Sequence, residues 1–110
     1  MRMWGVHPRK LCRKHLLGLH VELHMIAGCV NKNKKLDKYL KTGLIDLKRV
    51  VCFHKKVEIE MKVRGYNHKT PLENLDISKY EYHGYIDYDK SKYDLIQRCL
   101  ECAKNFKKEA

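Results

Sequence analysis

An amphipathic stripe near the N-terminus constrains the fold more than any other feature of the chain. Between about residues 10 and 30, apolar side chains recur every three or four positions; they are Leu16, Leu19, Leu23, Ile26 and Val30. This spacing puts them on one face of an α-helix, whereas a strand would need strict alternation. Pro8 stands just upstream, where proline is tolerated at a helix entrance. We therefore predict a long first helix whose apolar face covers a core.

Two further segments carry the same periodicity. One runs from about 46 to 64, and Gly65 follows it as a C-terminal cap. The other runs from about 91 to 107 and begins with Ser91 and Asp94, which are spaced as in a capping box. The connections at 31–43, with room for a short helix at 36–40, and at 66–90 are long. We predict an all-α fold, an irregular three-helix single domain over residues 1–110 with long connecting loops.

The charge balance narrows the choice of partner. The chain carries 24 lysines and arginines against 13 acidic residues, a net charge of +11 on 110 residues. That surplus indicates a polyanionic partner, either nucleic acid or an anionic membrane surface, and nucleic acid is favoured. No apolar run reaches the roughly 18 residues of a membrane span, and the N-terminus does not resemble a signal peptide. The five cysteines show no disulfide framework, so we expect reduced thiols and an intracellular protein, in the cytoplasm or nucleoid.

A second face of the first helix carries polar groups. It presents His15, Gly18, Glu22, Met25 and Cys29, again at spacings of three and four. An imidazole and a carboxylate two turns apart could take part in catalysis. An ordinary solvated helix face with polar residues would have the same sequence pattern.

The N-terminus adds a possible nucleophile. Because Arg2 is bulky, Met1 is expected to be retained, and its α-amine would be the terminus. A terminal amine is less basic than a lysine side chain, so part of it is neutral at pH 7 and can form a Schiff base with a sugar carbon. We expect this amine to lie close to the Glu22 carboxylate. With Arg2 beside them, the two groups could break a glycosidic bond.

Several short motifs resemble the pyrimidine-dimer DNA glycosylases, the family of the phage enzyme called endonuclease V. They are Met1-Arg2, Lys14-His15-Leu16-Leu17, Val21-Glu22-Leu23, Gly28 and Arg64-Gly65-Tyr66-Asn67. The opening residues, Trp4, His7 and Pro8, are more similar to the cellular branch of the family. Two arginines that the phage enzyme has around its catalytic glutamate are here Val21 and Met25.

The resemblance implies a DNA N-glycosylase with AP-lyase activity on double-stranded DNA that carries pyrimidine dimers or abasic sites. Met1 and Glu22 would be catalytic, with the amine attacking the sugar and the carboxylate stabilising the cationic intermediate. DNA would be bound by five residues of the N-terminal region: Arg2, Lys10, Arg13, Lys14 and His15. No cofactor is implied, and a monomer is favoured.

The same residues allow alternative interpretations. His20 and His24 on the first helix and Cys99 and Cys102 on the third could together bind zinc, or the cysteines could be small core residues and the histidines could face DNA. The tyrosines of 80–93 could stack on unpaired bases or pin the long loop. The main alternative function is a non-catalytic, basic helical DNA-binding module. A regulator without nucleic acid contact would leave the charge unexplained.

Overall fold

The described part of this protein is helical, and its buried apolar side chains form one core. The structure is a computed structural model that describes residues 1–68, 70–72 and 74–108. Within those residues the helices are α1 (Arg13–Asn31), α2 (Asp37–Lys41), α3 (Val50–Val63), α4 (Tyr88–Arg98) and α5 (Leu100–Lys107), with 3-10 turns at Pro8–Lys10 and Leu47–Arg49. The described part of the chain contains no strand. The predicted all-α class is confirmed.

The apolar stripe of α1 forms the centre of the core. All five of its predicted members are buried, and α1 packs against α3, whose inward side chains are Val50, Phe53, Val57 and Met61. Each such side chain contributes roughly 1.5–3 kcal/mol when fully buried. The N-terminal segment is fixed to the same core, because Met3 is 1% exposed and its amide donates to the Leu44 carbonyl at 2.8 Å.

The first helix begins later than the sequence predicted. Pro8 opens a short 3-10 turn, and the chain is extended at Leu11, which is fully buried. Cys12 then caps α1, its Sγ accepting a hydrogen bond from the His15 amide at 3.5 Å. The thiol of Cys12 therefore lies at the N-terminus of the helix.

The third predicted helix is two helices. Its backbone is extended at Cys99 (φ −134°, ψ 109°), and the Sγ of this residue accepts a hydrogen bond from the Cys102 amide, which caps α5. The break turns α5 toward the 3-10 turn at Pro8–Lys10. The cysteine caps of α1 and α5 thus bring their thiols to the same side of α1.

The start of α4 also differs from the prediction. The cap is Asp87, whose Oδ1 accepts from the Lys90 amide at 3.2 Å, so the helix begins three residues before Ser91. Ser91 is buried instead, and its hydroxyl donates to the Trp4 carbonyl. This contact ties α4 to the N-terminal segment.

Two glycines fix the loops. Gly65 follows α3 with φ +82°, as the predicted C-terminal cap requires. Gly84, which the sequence did not single out, has φ +86°, and a Cβ there would lie 2.0 Å from the Ile45 carbonyl oxygen. Only glycine fits this close approach. None of the helices in the described residues combines the length and apolar character needed to cross a bilayer.

Candidate active site

A cavity of about 330 Å³ opens between the N-terminal segment and the polar face of α1. It is lined by the side chains of Arg2, Trp4, Lys14, His15, Glu22 and Arg98, together with Gly18 and Leu19. One carboxylate thus lies among three permanent cations. A surface of this kind attracts phosphate while keeping an acid available for chemistry.

The Glu22 carboxylate is the least satisfied polar group of this cavity. Its Oε2 is buried and has no hydrogen-bond partner among the described residues. A buried acceptor without a partner costs about 1–3 kcal/mol, and more when it is charged. A catalytic role is one explanation for such an atom, and Glu22 is the one carboxylate among the described residues that line this cavity, so it is the candidate reactive side chain.

Arg2 is held rigidly at the cavity edge. Its guanidinium stacks over the Trp4 ring at 3.9 Å, and its Nη2 donates to the Asp94 carboxylate at 3.1 Å. Met1 precedes it directly and is half-buried against the core. The first residues of the chain are therefore fixed beside the cavity.

A second cavity of about 420 Å³ shares Arg2 with the first. Lys41, Lys90, Tyr82 and Tyr85 are among the residues that line it. Arg2 therefore lies between two cavities. One holds Glu22 among cations, and the other combines Lys41 and Lys90 with Asp87, Asp94 and two exposed tyrosine rings.

The predicted DNA-binding residues separate into two groups. Arg2, Lys14 and His15 line the cavity with Glu22, whereas Lys10 does not. Lys10 is only 8% exposed, and its ammonium lies 5.5 Å from the centre of the Phe106 ring, so most of its side chain is covered. Its contact with DNA stays a prediction.

Two arginines differ in how they relate to the cavity. Arg13 is exposed and lies over Tyr66, with its guanidinium 5.4 Å from the ring centre. Arg98 also lines the cavity. No local motif pointed to it, because it lies 76 positions after Glu22 and only the fold brings the two residues close.

The tyrosines of the long loop divide between pinned and exposed side chains. The Tyr80 hydroxyl donates to the Lys34 carbonyl at 2.8 Å, which pins the loop. Tyr82 and Tyr85 of the loop, like Tyr88 and Tyr93 on α4, are exposed, as stacking on bases would require.

His15 belongs to a second group of side chains as well, which we call the thiol cluster: Cys12, His15, Cys99 and Cys102. The His15 Nδ1 lies 3.2 Å from the Cys12 Sγ and 3.6 Å from the Cys102 Sγ. The Cys12 and Cys99 sulfurs are 3.8 Å apart. Burial, helped by the charge of Lys14, lowers the pKa of His15, so the neutral imidazole is favoured.

A separate histidine cluster joins α1 to α3 and the loop after it. It consists of His20, His24, His54 and His68. The His24 Nε2 lies 3.1 Å from the His20 Nε2 and 3.2 Å from the His54 Nε2. Burial, followed by the neighbouring imidazoles, lowers the pKa of His54 to about 4.

The structure groups the predicted metal ligands differently from the sequence. His20 and His24 lie with the other histidines, and Cys99 and Cys102 lie with Cys12 and His15. The two pairs therefore belong to different clusters and do not form the single group that the sequence suggested. One feature of the sequence could have indicated the thiol cluster. Cys12 and His15 have the spacing Cys-x-x-His, which matches the Cys-x-x-Cys spacing of Cys99 and Cys102.

The fold and the cavity together define a small basic helical protein with one carboxylate set among cations. The family model described as pyrimidine dimer DNA glycosylase matches residues 1–74, which is more than half of the chain. The chain belongs to this family, which indicates glycosylase action on pyrimidine dimers and a DNA substrate. No curated protein and no solved structure matches the chain. The matched part includes Glu22 and the histidine cluster, while α4 and α5 lie beyond it.

Proposed function

We propose that the protein is a DNA N-glycosylase with an associated AP-lyase activity on double-stranded DNA that carries pyrimidine dimers or abasic sites. The observation that carries the proposal is the buried, unpartnered Oε2 of Glu22, which shares a cavity with Arg2 in a chain of this family. A carboxylate left without a partner in a basic cavity is suited to stabilise a cation that forms only during reaction.

In the proposed first step, the lone pair of the Met1 α-amine forms a bond to the sugar C1′. The glycosidic C1′–N bond breaks, and its electron pair leaves with the base, which takes up a proton from solvent. The C1′–O4′ bond then breaks: O4′ keeps the electron pair of that bond and takes up one proton from the ammonium formed at Met1. The nitrogen lone pair freed in this way forms the second bond to C1′, which leaves a protonated imine between Met1 and C1′. The negative charge of Glu22 stabilises the cationic sugar and this imine.

In the second step, strand cleavage follows from the same intermediate. Glu22 accepts a proton from C2′, and the electrons of that C–H bond form the new double bond while the C3′–O bond breaks. The phosphate leaves with the electron pair of the broken bond. Hydrolysis of the imine then releases Met1, so no cofactor is consumed.

DNA is bound in this proposal along the two cavities that share Arg2. Arg2, Lys14 and Arg98 contact phosphates around Glu22, since permanent cations give sequence-independent affinity for the backbone. Reaching a lesion requires local distortion of the duplex at a cost of a few kcal/mol, and least where the pair is already damaged. The exposed rings of Tyr82 and Tyr85 in the second cavity can stack on a displaced base.

The decisive experiment is borohydride trapping on duplex DNA that contains an abasic site or a pyrimidine dimer. Reduction should convert the imine into a stable amine, giving a covalent protein–DNA adduct that peptide mass spectrometry maps to Met1. Before the trapping experiment, an intact-mass measurement should show that Met1 is retained. A variant extended by one residue ahead of Met1 should form no adduct at that position and should lose strand cleavage.

Lys14 provides the sharpest contrast, because it is a cavity amine that could also form an imine. An adduct that maps to Lys14 and disappears in Lys14→Arg, or an extended protein as active as the native one, would contradict the role of Met1. Tight DNA binding with no adduct on any damaged substrate would instead favour the non-catalytic binding module.

A further inference from the structure

We propose that the thiol cluster is a structural zinc site, in which Cys12, His15, Cys99 and Cys102 bind one Zn²⁺ tetrahedrally. The proposal is independent of the repair activity. Three cysteines and one histidine are a ligand set that closed zinc sites use, because zinc is a borderline-soft ion with a preference for thiolate and imidazole.

Three distances between ligand atoms of the cluster are close to the edges of a tetrahedron around zinc. With Zn–S bonds of about 2.3 Å and Zn–N bonds of about 2.0–2.1 Å, the tetrahedral edges are about 3.8 Å between two sulfurs and about 3.5 Å between sulfur and nitrogen. The Cys12 and Cys99 sulfurs are 3.8 Å apart, and the two distances to the His15 Nδ1 are 3.2 and 3.6 Å. The four ligand atoms are all within 4.8 Å of one another.

The backbone around the sulfurs is arranged to stabilise thiolates. Cys102 Sγ accepts from the Cys12 amide at 3.2 Å, Cys12 Sγ accepts from the His15 amide at 3.5 Å, and Cys99 Sγ accepts from the Cys102 amide at 3.5 Å. Every sulfur of the cluster thus has a peptide N–H donor, a pattern expected of the outer shell of a metal–thiolate site. Cys12 and Cys99 are also helix caps, so both thiols lie at helix N-termini, where negative charge is favoured.

Neither a disulfide nor simple core packing fits the cluster as well as zinc does. A disulfide needs sulfurs about 2.05 Å apart and would leave the third thiol and the imidazole without a role. Core packing would not require the imidazole nitrogen to face two sulfurs. The zinc site also accounts for the break at Cys99, because a continuous helix would lack the extended residue that now caps α5.

The test uses the full chain, purified under reducing conditions from cells grown with zinc and without chelators. Elemental analysis should show bound zinc, and alkylation followed by mass spectrometry should show that zinc protects the three cluster thiols until a chelator is added. Cys29 and Cys52 lie outside the cluster and serve as internal controls, with reaction rates that zinc leaves unchanged. Cys102→Ser should lose one equivalent of metal, whereas Cys52→Ser should lose none.

Reduced protein that contains no zinc, or cluster thiols that react equally fast with and without zinc, would overturn the proposal. Iron in place of zinc would overturn the identity of the metal. Because the alkylation experiment needs only the unmodified chain, failure of Cys102→Ser to fold leaves the proposal testable.

The histidine cluster carries a second inference on separate contacts: we infer that it binds another zinc ion through four imidazole Nε2 atoms. A tetrahedral site with Zn–N bonds of about 2.0–2.1 Å has edges of about 3.3–3.4 Å. The two Nε2 separations from His24, 3.1 and 3.2 Å, are close to that edge.

Protons alone do not account for these contacts. The His24 Nε2 has either one hydrogen or one lone pair, so it can make one directed hydrogen bond, yet two other Nε2 atoms face it. The His68 Nε2 is buried and has no hydrogen-bond partner among the described residues. A metal ion resolves both problems, because it accepts a lone pair from each nitrogen.

The outer shell supports the same conclusion. The His68 Nδ1 lies 3.7 Å from the Glu58 Oε1, which is longer than a hydrogen bond but puts a carboxylate behind the imidazole, where many zinc sites have one. Glu58 is itself oriented by Lys55 and Lys62, at 3.5 and 3.4 Å.

Cobalt substitution distinguishes the two sites, since only the thiol cluster can give a sulfur-to-cobalt charge-transfer band. Wild-type protein should bind two equivalents of Co²⁺, and Cys102→Ser should keep a visible cobalt spectrum without that band. His54→Gln should bind one equivalent of Co²⁺ fewer and retain the band. His7 is exposed and lies outside both clusters, so His7→Asn is the control and should bind as much Co²⁺ as the wild type.

A single equivalent in the wild type, or a cobalt spectrum that His54→Gln leaves unchanged, would overturn the histidine site. If His54→Gln does not fold, modification of the wild-type histidines by diethyl pyrocarbonate decides the question. Zinc should protect the four cluster histidines and leave His7 and His83 reactive, and equal reactivity of all of them would contradict the inference.

Discussion

The cavity and the thiol cluster share His15, yet they differ in the hydrogen bonding of their polar atoms. In the cavity, the Glu22 Oε2 is buried without a partner among the described residues. In the thiol cluster, each sulfur accepts a peptide N–H and lies near another ligand atom. Under the two proposals, the first arrangement keeps a group available for reaction, and the second fixes the framework beside it. Substitutions in the cavity should therefore change the rate, and substitutions in the cluster should change the stability.

Glu22→Gln should have the largest effect on rate. Glycosylase and strand-cleavage rates should fall by about 10²–10⁴-fold, the typical contribution of a positioned acid–base group. Because the Glu22 Oε2 is buried without a hydrogen-bond partner among the described residues, the substitution should leave the melting temperature unchanged or raise it. Single-turnover kinetics on dimer-containing DNA and thermal unfolding provide the two measurements.

Glu81→Gln, an exposed loop substitution that removes the same charge, is the control and should leave both quantities unchanged. A large loss of stability or of DNA affinity in Glu22→Gln would break the comparison, because the cavity would then be structural.

Cys102→Ser should have the largest effect on stability. The free energy of unfolding should fall by about 4 kcal/mol or more, the range in which loss of a metal site places a single substitution. The rate per folded molecule should fall far less than in Glu22→Gln, since the carboxylate and Arg2 are retained. Urea unfolding, with Cys52→Ser as the matched control, measures the difference. Equal unfolding curves for the two serine variants would refute this prediction.

Arg2→Ala should affect binding more than stability. Loss of one phosphate contact should reduce the slope of log K against log salt by about one. The ion pair with Asp94 is partly exposed, so its removal should lower stability by only about 1 kcal/mol or less. Fluorescence anisotropy over a salt series gives the slope.

Arg49→Ala is the control for Arg2→Ala, because Arg49 also pairs with an aspartate but lies outside both cavities that share Arg2. If the two alanine variants show the same slope, Arg2 does not contact phosphate.

Met25→Arg should have the smallest effect, and it extends the comparison to a neighbouring position on the polar face of α1. Met25 is 48% exposed on α1, one turn after Glu22, where the resemblance places an arginine in the phage enzyme. One added phosphate contact should strengthen DNA binding a few-fold with no change in stability. Val63→Arg adds the same charge at an exposed position of α3. An equal gain in both variants would mean that net charge, and not position, determines affinity.

Local patterns determined much of the framework. The three-and-four spacing of Leu16 to Val30 predicted α1 and its buried face, because helical periodicity depends only on neighbours along the chain. The same reasoning predicted the cap at Gly65 and grouped His15, Gly18 and Glu22 on one face, and these three residues now line one cavity. The short motifs near the terminus pointed to the family that the comparison confirmed.

Only the tertiary structure decided which distant side chains meet. Cys12 and Cys99 are 87 positions apart, and no local spacing could show that they share a cluster. The break at Cys99 and the burial of Lys10 against Phe106 likewise follow from how α5 packs on the N-terminal turn. The sequence by itself therefore determined α1 with its buried face and the polar face that carries His15 and Glu22, since these depend on spacing along a single helix. The fold decided the cavity and the two clusters, since these depend on the free energy of packing segments that are far apart in the chain.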